Sequence, residues 1–459
     1  MIERDYSGKR ALVVGAARSG IAAAEFLLSR GASVILTDLK SIEELPAAVT
    51  SLGGTAPEGR LVLELGGHRA ESFADCDLVV VSPGVPWSLH FLEISRRSGI
   101  PVMTEVELAF RHIRGRIIGI TGSNGKTTTT VLVDEMLRNT GLECHAAGNV
   151  GTPLISFATS STEESFYSVE LSSFQLEGID RFRPGIAALL NLTPDHMDRY
   201  PGFDAYVEAK CRIFVNQGPA EFAVLNADDP STRAAASRVK STAFYFSRAA
   251  SPDLGAFVRC GRVIYRDGTR ERELFPVEDI QLKGEHNLEN VLAASTIAML
   301  AGAAREKLRE AVRRFKGVEH RLEWVAEIDG VQYYNDSKAT NVDATVRSLR
   351  AFSGGVHLIA GGRDKGADFT ALRDPVRERT RQIVLIGEAA PKIREALAGT
   401  VPTIQASGLA EAVDICRKSA TAGEVVLLAP ACASFDMFEN YEHRGRVFKE
   451  MVRTLAAGI

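Results

Sequence analysis

Thr121-Gly-Ser-Asn-Gly-Lys-Thr-Thr128 is the stretch of this chain whose residue types point most directly to chemistry. It follows an apolar run, Ile117-Ile-Gly-Ile120, and leads into a helical pattern. That strand–loop–helix setting is what a phosphate-binding loop requires. Gly122, Ser123, Asn124 and Gly125 would turn backbone N–H groups inward around phosphate oxygens. Lys126 would neutralise the β- and γ-phosphates of ATP, Thr127 would offer its hydroxyl to Mg²⁺, and Thr128 would complete the ATP-binding turn. The commonest form of such a loop has glycine at its first position, where this chain has Ile120, so the loop is tighter than that form.

Two polar clusters follow. Ser168-Val-Glu-Leu-Ser-Ser-Phe-Gln-Leu-Glu177 stands at the end of one apolar run, and Asn191-Leu-Thr-Pro-Asp-His-Met-Asp-Arg-Tyr200 follows another. In an open α/β sheet, strand ends meet at the ligand crevice. Glu170 and His196 could therefore converge beside the loop and ligate a metal ion. Each could instead cap its own strand; a phosphate loop in the same domain moves the balance towards metal. Residues 205–213 read as a helix carrying Lys210, which spacing alone does not separate from a solvated lysine.

A second glycine-rich turn lies near the start of the chain. Arg10-Ala-Leu-Val-Val14 runs into Gly15-Ala-Ala-Arg-Ser-Gly20 and a helical pattern, and Asp38 ends the next strand. This is close to a dinucleotide fingerprint, but Ala17 replaces the middle glycine, where backbone has to approach a pyrophosphate. Three readings stand: a nicotinamide site, a tight turn with no ligand, or a helix end holding the phosphates of a nucleotide-linked substrate. Ser82-Pro83-Gly84 follows a further strand, at the carboxyl end where such folds bind ligands.

The elements that must position these residues follow from hydrophobic patterning. Continuous apolar runs at 11–14, 34–36, 78–81, 117–120, 186–190, 222–225, 357–359, 383–386 and 425–428 mark strands covered on both faces. Helical patterns between them, such as 21–28, 127–137 and 409–417, complete the alternation of a parallel α/β fold. At roughly 150 residues per domain, a chain of 459 residues suggests about three domains. A basic segment at 111–116 and a helix end at Gly317 divide it into 1–112, 113–317 and 318–459.

Composition narrows the class. With 45% hydrophobic and 24% charged residues, the chain is neither disordered nor collagenous. No apolar run nears the roughly 20 residues of a membrane span. The first ten residues are charged where a secretory signal would turn apolar, so a cytoplasmic location is expected. The net charge of −4 offers no electrostatic reason to expect a nucleic-acid partner. The six cysteines form no CxxC pair, so neither a structural zinc site nor a thioredoxin-like motif is indicated.

Taken in order, the motifs resemble those of the Mur ligases. The resemblance rests on the phosphate loop, Glu-Leu-Ser-Ser-Phe-Gln-Leu-Glu, Asp-His-Met-Asp-Arg-Tyr and His286-Asn-Leu-Glu-Asn290. It extends to Asn335-Asp-Ser-Lys-Ala-Thr-Asn341 and Pro430-Ala-Cys-Ala-Ser-Phe-Asp436, so it spans the chain. The tight loop is the form these ligases use. The resemblance implies three α/β domains: a Rossmann-like one for the uridine nucleotide of a muramyl substrate, a central one for MgATP, and a Rossmann-like one for an amino acid. It implies a monomeric, ATP-dependent amide-bond ligase of peptidoglycan precursor synthesis, closest to the branch that adds D-glutamate.

The resemblance also implies roles. Lys126 and Thr127 would serve the ATP phosphates, and Glu170 and His196 would ligate Mg²⁺, two ions being expected. Lys210 sits where the family has a lysine carbamylated by CO₂, an anionic oxygen ligand that a plain lysine is not. Asn287, Asn290, Arg321, Asp336 and Lys338 correspond to nucleotide contacts, with Asp336 on the ribose. Ser19, Asp38, Ser82, Pro83, Gly84, Asn149 and His196 correspond to the UDP-substrate site. Thr340, Lys365, Ser434, Phe435 and Tyr441 correspond to the D-glutamate pocket, and Lys126, His196 and Lys210 to the catalytic set. Arg18 stands where a small apolar residue is common, and Tyr441 where Phe is frequent. Alternatives are a sister ligase or folylpolyglutamate synthetase with another amino-acid substrate, and, further off, a nicotinamide-dependent oxidoreductase.

Overall fold

The computed structural model describes residues 5–197, 199–268 and 270–456. Asp198 of the Asp-His-Met-Asp motif lies outside the described residues. Three sheets organise the chain. The first has five parallel strands in spatial order Leu61–Leu65, Ser33–Asp38, Arg10–Val14, Leu78–Val81, Val102–Thr104. Strand order reverses beside Arg10–Val14, which is where an open α/β sheet opens its crevice.

The second sheet has nine strands, and Arg116–Thr121 runs between Phe166–Glu170 and Ile186–Leu189, parallel to both. That placement brings the phosphate loop, Glu170 and Asn191 to one strand-end row. Strand Cys144–Gly148 lies at one edge and Glu271–Pro276 at the other, next to the antiparallel pair Leu254–Arg259 and Arg262–Asp267. The third sheet runs Glu323–Ile328, Val331–Asn335, Val425–Leu428, Val356–Gly361, Thr380–Ile386, Thr403–Gln405; its first pair is antiparallel.

The apolar runs become strands because both faces are covered. Leu358, Leu385 and Leu427 belong to the core on one side of the third sheet, and Ile359, Val384, Val426 and Leu428 to the core on the other. The wholly parallel expectation needs correction at the sheet edges. The hairpin strands bury only Gly255–Phe257 and Val263–Tyr265, and Glu323–Ile328 has no fully buried position, so these strands carry at most a short apolar run. Strand Cys144–Gly148 reads Cys-His-Ala-Ala-Gly and has too little apolar surface to announce itself.

The chain gathers into two compact units. One comprises Met1–Leu192, Asp204–Phe275 and Leu292–Ala311; the other comprises Thr193–Phe203, Pro276–Val291 and Val312–Ile459. The first two sheets share the first unit, and the third sheet lies in the second. Among the described residues no helix is long and apolar enough to cross a membrane.

Candidate functional site

Strand Arg116–Thr121 delivers the chain to the phosphate loop, and helix Lys126–Asn139 leaves it. Gly125 precedes that helix with φ +83°, a left-handed conformation that glycine adopts without strain. The Gly125 cap position has no side chain to close the helix start, and a helix N-terminus favours an anion. Asn191 clamps the loop from the neighbouring strand end. Its carbonyl accepts from Ser123 N–H at 2.9 Å, its Oδ1 accepts from Asn124 N–H at 2.8 Å, and its Nδ2 donates to the Asn124 carbonyl at 3.0 Å. The Ser123 and Tyr206 hydroxyls meet at 3.0 Å. Lys126 folds back over the loop and donates to the carbonyls of Gly122 at 2.9 Å and Ser123 at 2.8 Å.

Glu170 sits against this loop, buried at the end of its strand. Thr127 Oγ1 donates to its Oε2 at 2.5 Å, and Asn149 Nδ2 donates to its Oε1 at 3.2 Å. Thr128 is buried in the first helical turn. Lys210 is also buried, its Nζ donating to the Gly122 carbonyl at 2.9 Å and lying 4.7 Å from the Tyr206 ring centre. One unit thus brings Gly122, Ser123, Asn124, Lys126, Thr127, Asn149, Glu170 and Lys210 together. His196 belongs to the other unit, with φ +57° and its N–H donating to Asp195 Oδ1 at 2.9 Å.

The donor set fits magnesium in its usual habit. Thr127 and Glu170 present hard oxygens side by side. Among the described residues no group of three or more His, Cys, Asp or Glu side chains could hold a metal ion. An ion here would therefore take most ligands from nucleotide phosphates and water, as Mg²⁺ commonly does. An unmodified Lys210 ammonium only donates, and so is no cation ligand.

A cleft of about 500 Å³ opens at the carboxyl ends of the first sheet. Ser19, Asp38, Ser82, Pro83, Gly84 and Asn149 all line it, with Arg18, Lys40 and His68. Asp38 Oδ2 accepts from the Ala16 N–H at 2.7 Å, and Ser82 Oγ donates to the Gly15 carbonyl at 2.8 Å, so both shape the turn itself. A Cβ at Gly20 would stand 1.8 Å from the Gly15 carbonyl oxygen, which is why only glycine fits there. Helix Arg18–Ser29 starts at the cleft without a side-chain cap, again leaving N–H groups for an anion. Arg18 reaches across to the Gly151 carbonyl at 3.4 Å.

In the second unit, Asn287 and Asn290 are buried and bonded to each other at 3.1 Å. Asp336 is buried and bonded to the Ser348 hydroxyl, and burial holds its pKa above the ordinary carboxylate value. Lys338 Nζ lies 5.1 Å from the Tyr441 ring centre, and Thr340 N–H donates to the Lys338 carbonyl at 2.8 Å. Ser434 is buried, Phe435 is 64% exposed, and Lys365 is half-buried in the loop after Val356–Gly361. The segments holding these residues are joined by Arg444. Its guanidinium donates to the carbonyls of Ser337 at 2.8 Å and Cys432 at 3.3 Å, and burial lowers its pKa to about 10.

Asn191, Tyr206 and Arg444 are the site residues that sequence reasoning missed. Asn191 heads a motif that had been noticed, and its place after a strand was the available signal. Arg444 gave none: a lone arginine on a helix is ordinarily solvated.

Comparison with known proteins extends these observations. Residues 9–104 match a family model described as Mur ligase MurD-like, N-terminal domain; 120–298 match the Mur ligase middle domain; 320–432 match the Mur ligase, glutamate ligase domain. The chain is 50% identical over 452 residues to a UDP-N-acetylmuramoylalanine--D-glutamate ligase of Koribacter versatilis, covering 98% of this chain and 99% of that protein. A protein of the same name from Acidobacterium capsulatum is 48% identical, covering 98% and 97%. Among solved structures, UDP-N-acetylmuramate-alanine ligase of Thermotoga maritima shares the fold at TM-score 0.62 with 18% identity, covering 97% of this chain and 99% of that one. A pseudomurein peptide ligase type C from Methanothermus fervidus does so at TM-score 0.61 with 19% identity, covering 98% and 100%.

Proposed function

The chain belongs to the Mur ligase family, and we propose that it joins D-glutamate to UDP-N-acetylmuramoyl-L-alanine while cleaving ATP to ADP and phosphate. The observation that carries this reading is half identity, along nearly the whole chain, to ligases of that name. The domain division 1–112, 113–317 and 318–459 is part of it, with a uridine-nucleotide, an ATP and an amino-acid site in that order.

A carboxylate is a poor electrophile and has to be activated before it forms an amide. An oxygen of the alanyl carboxylate attacks the γ-phosphorus of ATP, the bond to the β–γ bridging oxygen breaks, and ADP leaves. The amine of D-glutamate then attacks the acyl carbon, the bond to the phosphate oxygen breaks, and phosphate departs as the nitrogen loses a proton to solvent. Two anions meet in the first step, so positive charge is the main requirement. Lys126 supplies it at the loop, where its ammonium already lies over the Gly122 and Ser123 carbonyls. Thr127, Glu170, His196 and a carbamate on Lys210 are the groups that would hold magnesium, two ions in the full reading, and bound magnesium would neutralise phosphate charge.

The cleft residues around Asp38 would seat the uridine diphosphate, helped by the uncapped start of helix Arg18–Ser29. Thr340, Lys365 and Ser434 would hold the D-glutamate carboxylates through charged and hydroxyl donors. A nucleotide-linked precursor of this kind fits a monomeric cytoplasmic enzyme. The test is phosphate release from MgATP and UDP-N-acetylmuramoyl-L-alanine, scanned across amino acids. Release with meso-diaminopimelate and none with D-glutamate would overturn the assignment.

A further inference from the structure

The segment Thr193–Phe203 lies in sequence between a strand and a helix of the ATP-binding domain, yet it compacts with the unit that contains the third sheet. Two contacts tie it to the start of helix Val342–Arg350. Asn341 Nδ2 donates to Asp195 Oδ2 at 3.2 Å, and the Thr193 hydroxyl donates to Asp343 Oδ2 at 3.3 Å.

The bond geometry makes Asn341 a bifunctional group. Its Oδ1 accepts from the Ala344 N–H at 2.8 Å and so caps the helix, while its Nδ2 holds Asp195. Asp195 passes the constraint on: its other oxygen accepts the His196 N–H at 2.9 Å. On the far side, Asp343 accepts from Arg347 Nε at 2.9 Å, and Arg347 Nη1 lies 4.0 Å from Glu289. Glu289 sits on helix Glu285–Leu300, between Asn287 and Asn290. One short helix therefore links the turn bearing His196 to the helix bearing the expected nucleotide contacts. It begins immediately after Asp336, Lys338 and Thr340.

We propose that Asn341 and Asp343 are positioning residues, through which the amino-acid domain sets His196. This rests on the ligase reading above. Each acts through a neighbour, Asn341 through Asp195 and Asp343 through Thr193 and Arg347. The chemical consequence is coupling: the domain that brings D-glutamate also helps to hold the turn carrying His196.

Asn341→Asp separates this role from folding. A carboxylate caps the helix as well as an amide does, but it removes the donor and sets a like charge against Asp195. The expected result is a kcat lower by about tenfold or more with KM for the muramyl substrate little changed, because small misplacement of a reacting group slows the step itself. Amide hydrogen exchange across 193–203 should rise in the same variant. Adding Asp195→Asn makes donor and acceptor change sides, and should restore both readings towards wild type. A wild-type kcat in Asn341→Asp overturns the proposal, as does a loss that the paired exchange leaves unrepaired with exchange across 193–203 unchanged. If the wild-type protein itself released no phosphate with D-glutamate, the ligase reading would fall instead, while hydrogen exchange would still report whether Asn341 holds the segment.

Discussion

The hydroxyl of Thr127 donates to the carboxylate of Glu170 at 2.5 Å, joining the first turn of the phosphate-loop helix to the end of the neighbouring strand. Asn149 holds the other carboxylate oxygen from the glycine-rich turn after Cys144–Gly148. Glu170 is thereby aimed before any nucleotide arrives, and preorganised charge of this kind is where catalysis gains most.

Replacing Glu170 by Ala, or Lys126 by Ala, should lower kcat by about 100-fold or more, the loss typical of removing one preorganised charge partner. The fold should survive Lys126→Ala, because the ammonium bonds to carbonyls of its own loop and the change leaves the strand and helix on either side intact. Steady-state phosphate release with a circular-dichroism melt of each variant checks both statements. Activity within threefold of wild type in Lys126→Ala would remove the loop from the mechanism.

Lys210 carries the second expectation. Lys210→Ala should lose most activity, and short carboxylic acids should restore part of it by supplying the missing anionic oxygens. Intact-mass measurement under CO₂ should show the added carbamate on wild type. Full activity in Lys210→Ala would give the residue a structural role, such as its bond to the Gly122 carbonyl, in place of a catalytic one.

Asp38→Ala should raise KM for the UDP-linked substrate by about tenfold while KM for ATP stays near its starting value. The reason is local: the carboxylate accepts the Ala16 N–H and so holds the glycine-rich turn that lines the cleft. Equal rises in both constants would mean that the turn supports the whole unit rather than one ligand.

These readings show what was legible in the sequence and what was not. The strand at Val425–Leu428 was plain because both faces are covered, and the phosphate loop because its glycines, lysine and threonine fall in a strand–loop–helix frame. Asn191 was not, since its work is done by hydrogen bonds to a loop nearly seventy residues earlier in the chain. Arg444 was less visible still. Its guanidinium is buried against backbone carbonyls of two separate segments, one of them more than a hundred residues earlier, and no local pattern marks that. The hairpin at 254–267 escaped because its buried runs, Gly255–Phe257 and Val263–Tyr265, are only three residues long and are flanked by the exposed stretch Arg259–Arg262.

Glu105 supplies a stability prediction. Its side chain is buried, one oxygen accepts the Ile155 N–H at 2.7 Å, and the other has no hydrogen-bond partner among the described residues. Burial pushes its pKa from 4.5 up to about 7. Between those values the folded protein keeps a proton that the unfolded chain releases, so this group's contribution falls as pH rises through that window and levels off above it. The difference is on the order of 3 kcal/mol. Glu105→Gln keeps an acceptor and removes the buried charge, so it should raise Tm at pH 8 and change it little near pH 5. A gain that is the same at both pH values would place the origin elsewhere.

The most direct measurement of the proposed reaction follows oxygen. UDP-N-acetylmuramoyl-L-alanine labelled with ¹⁸O in its alanyl carboxylate, incubated with MgATP and D-glutamate, should yield the D-glutamyl product and phosphate carrying one ¹⁸O atom, because the acyl oxygen leaves with the phosphorus it attacked. Unlabelled phosphate released alongside the D-glutamyl product would contradict the account.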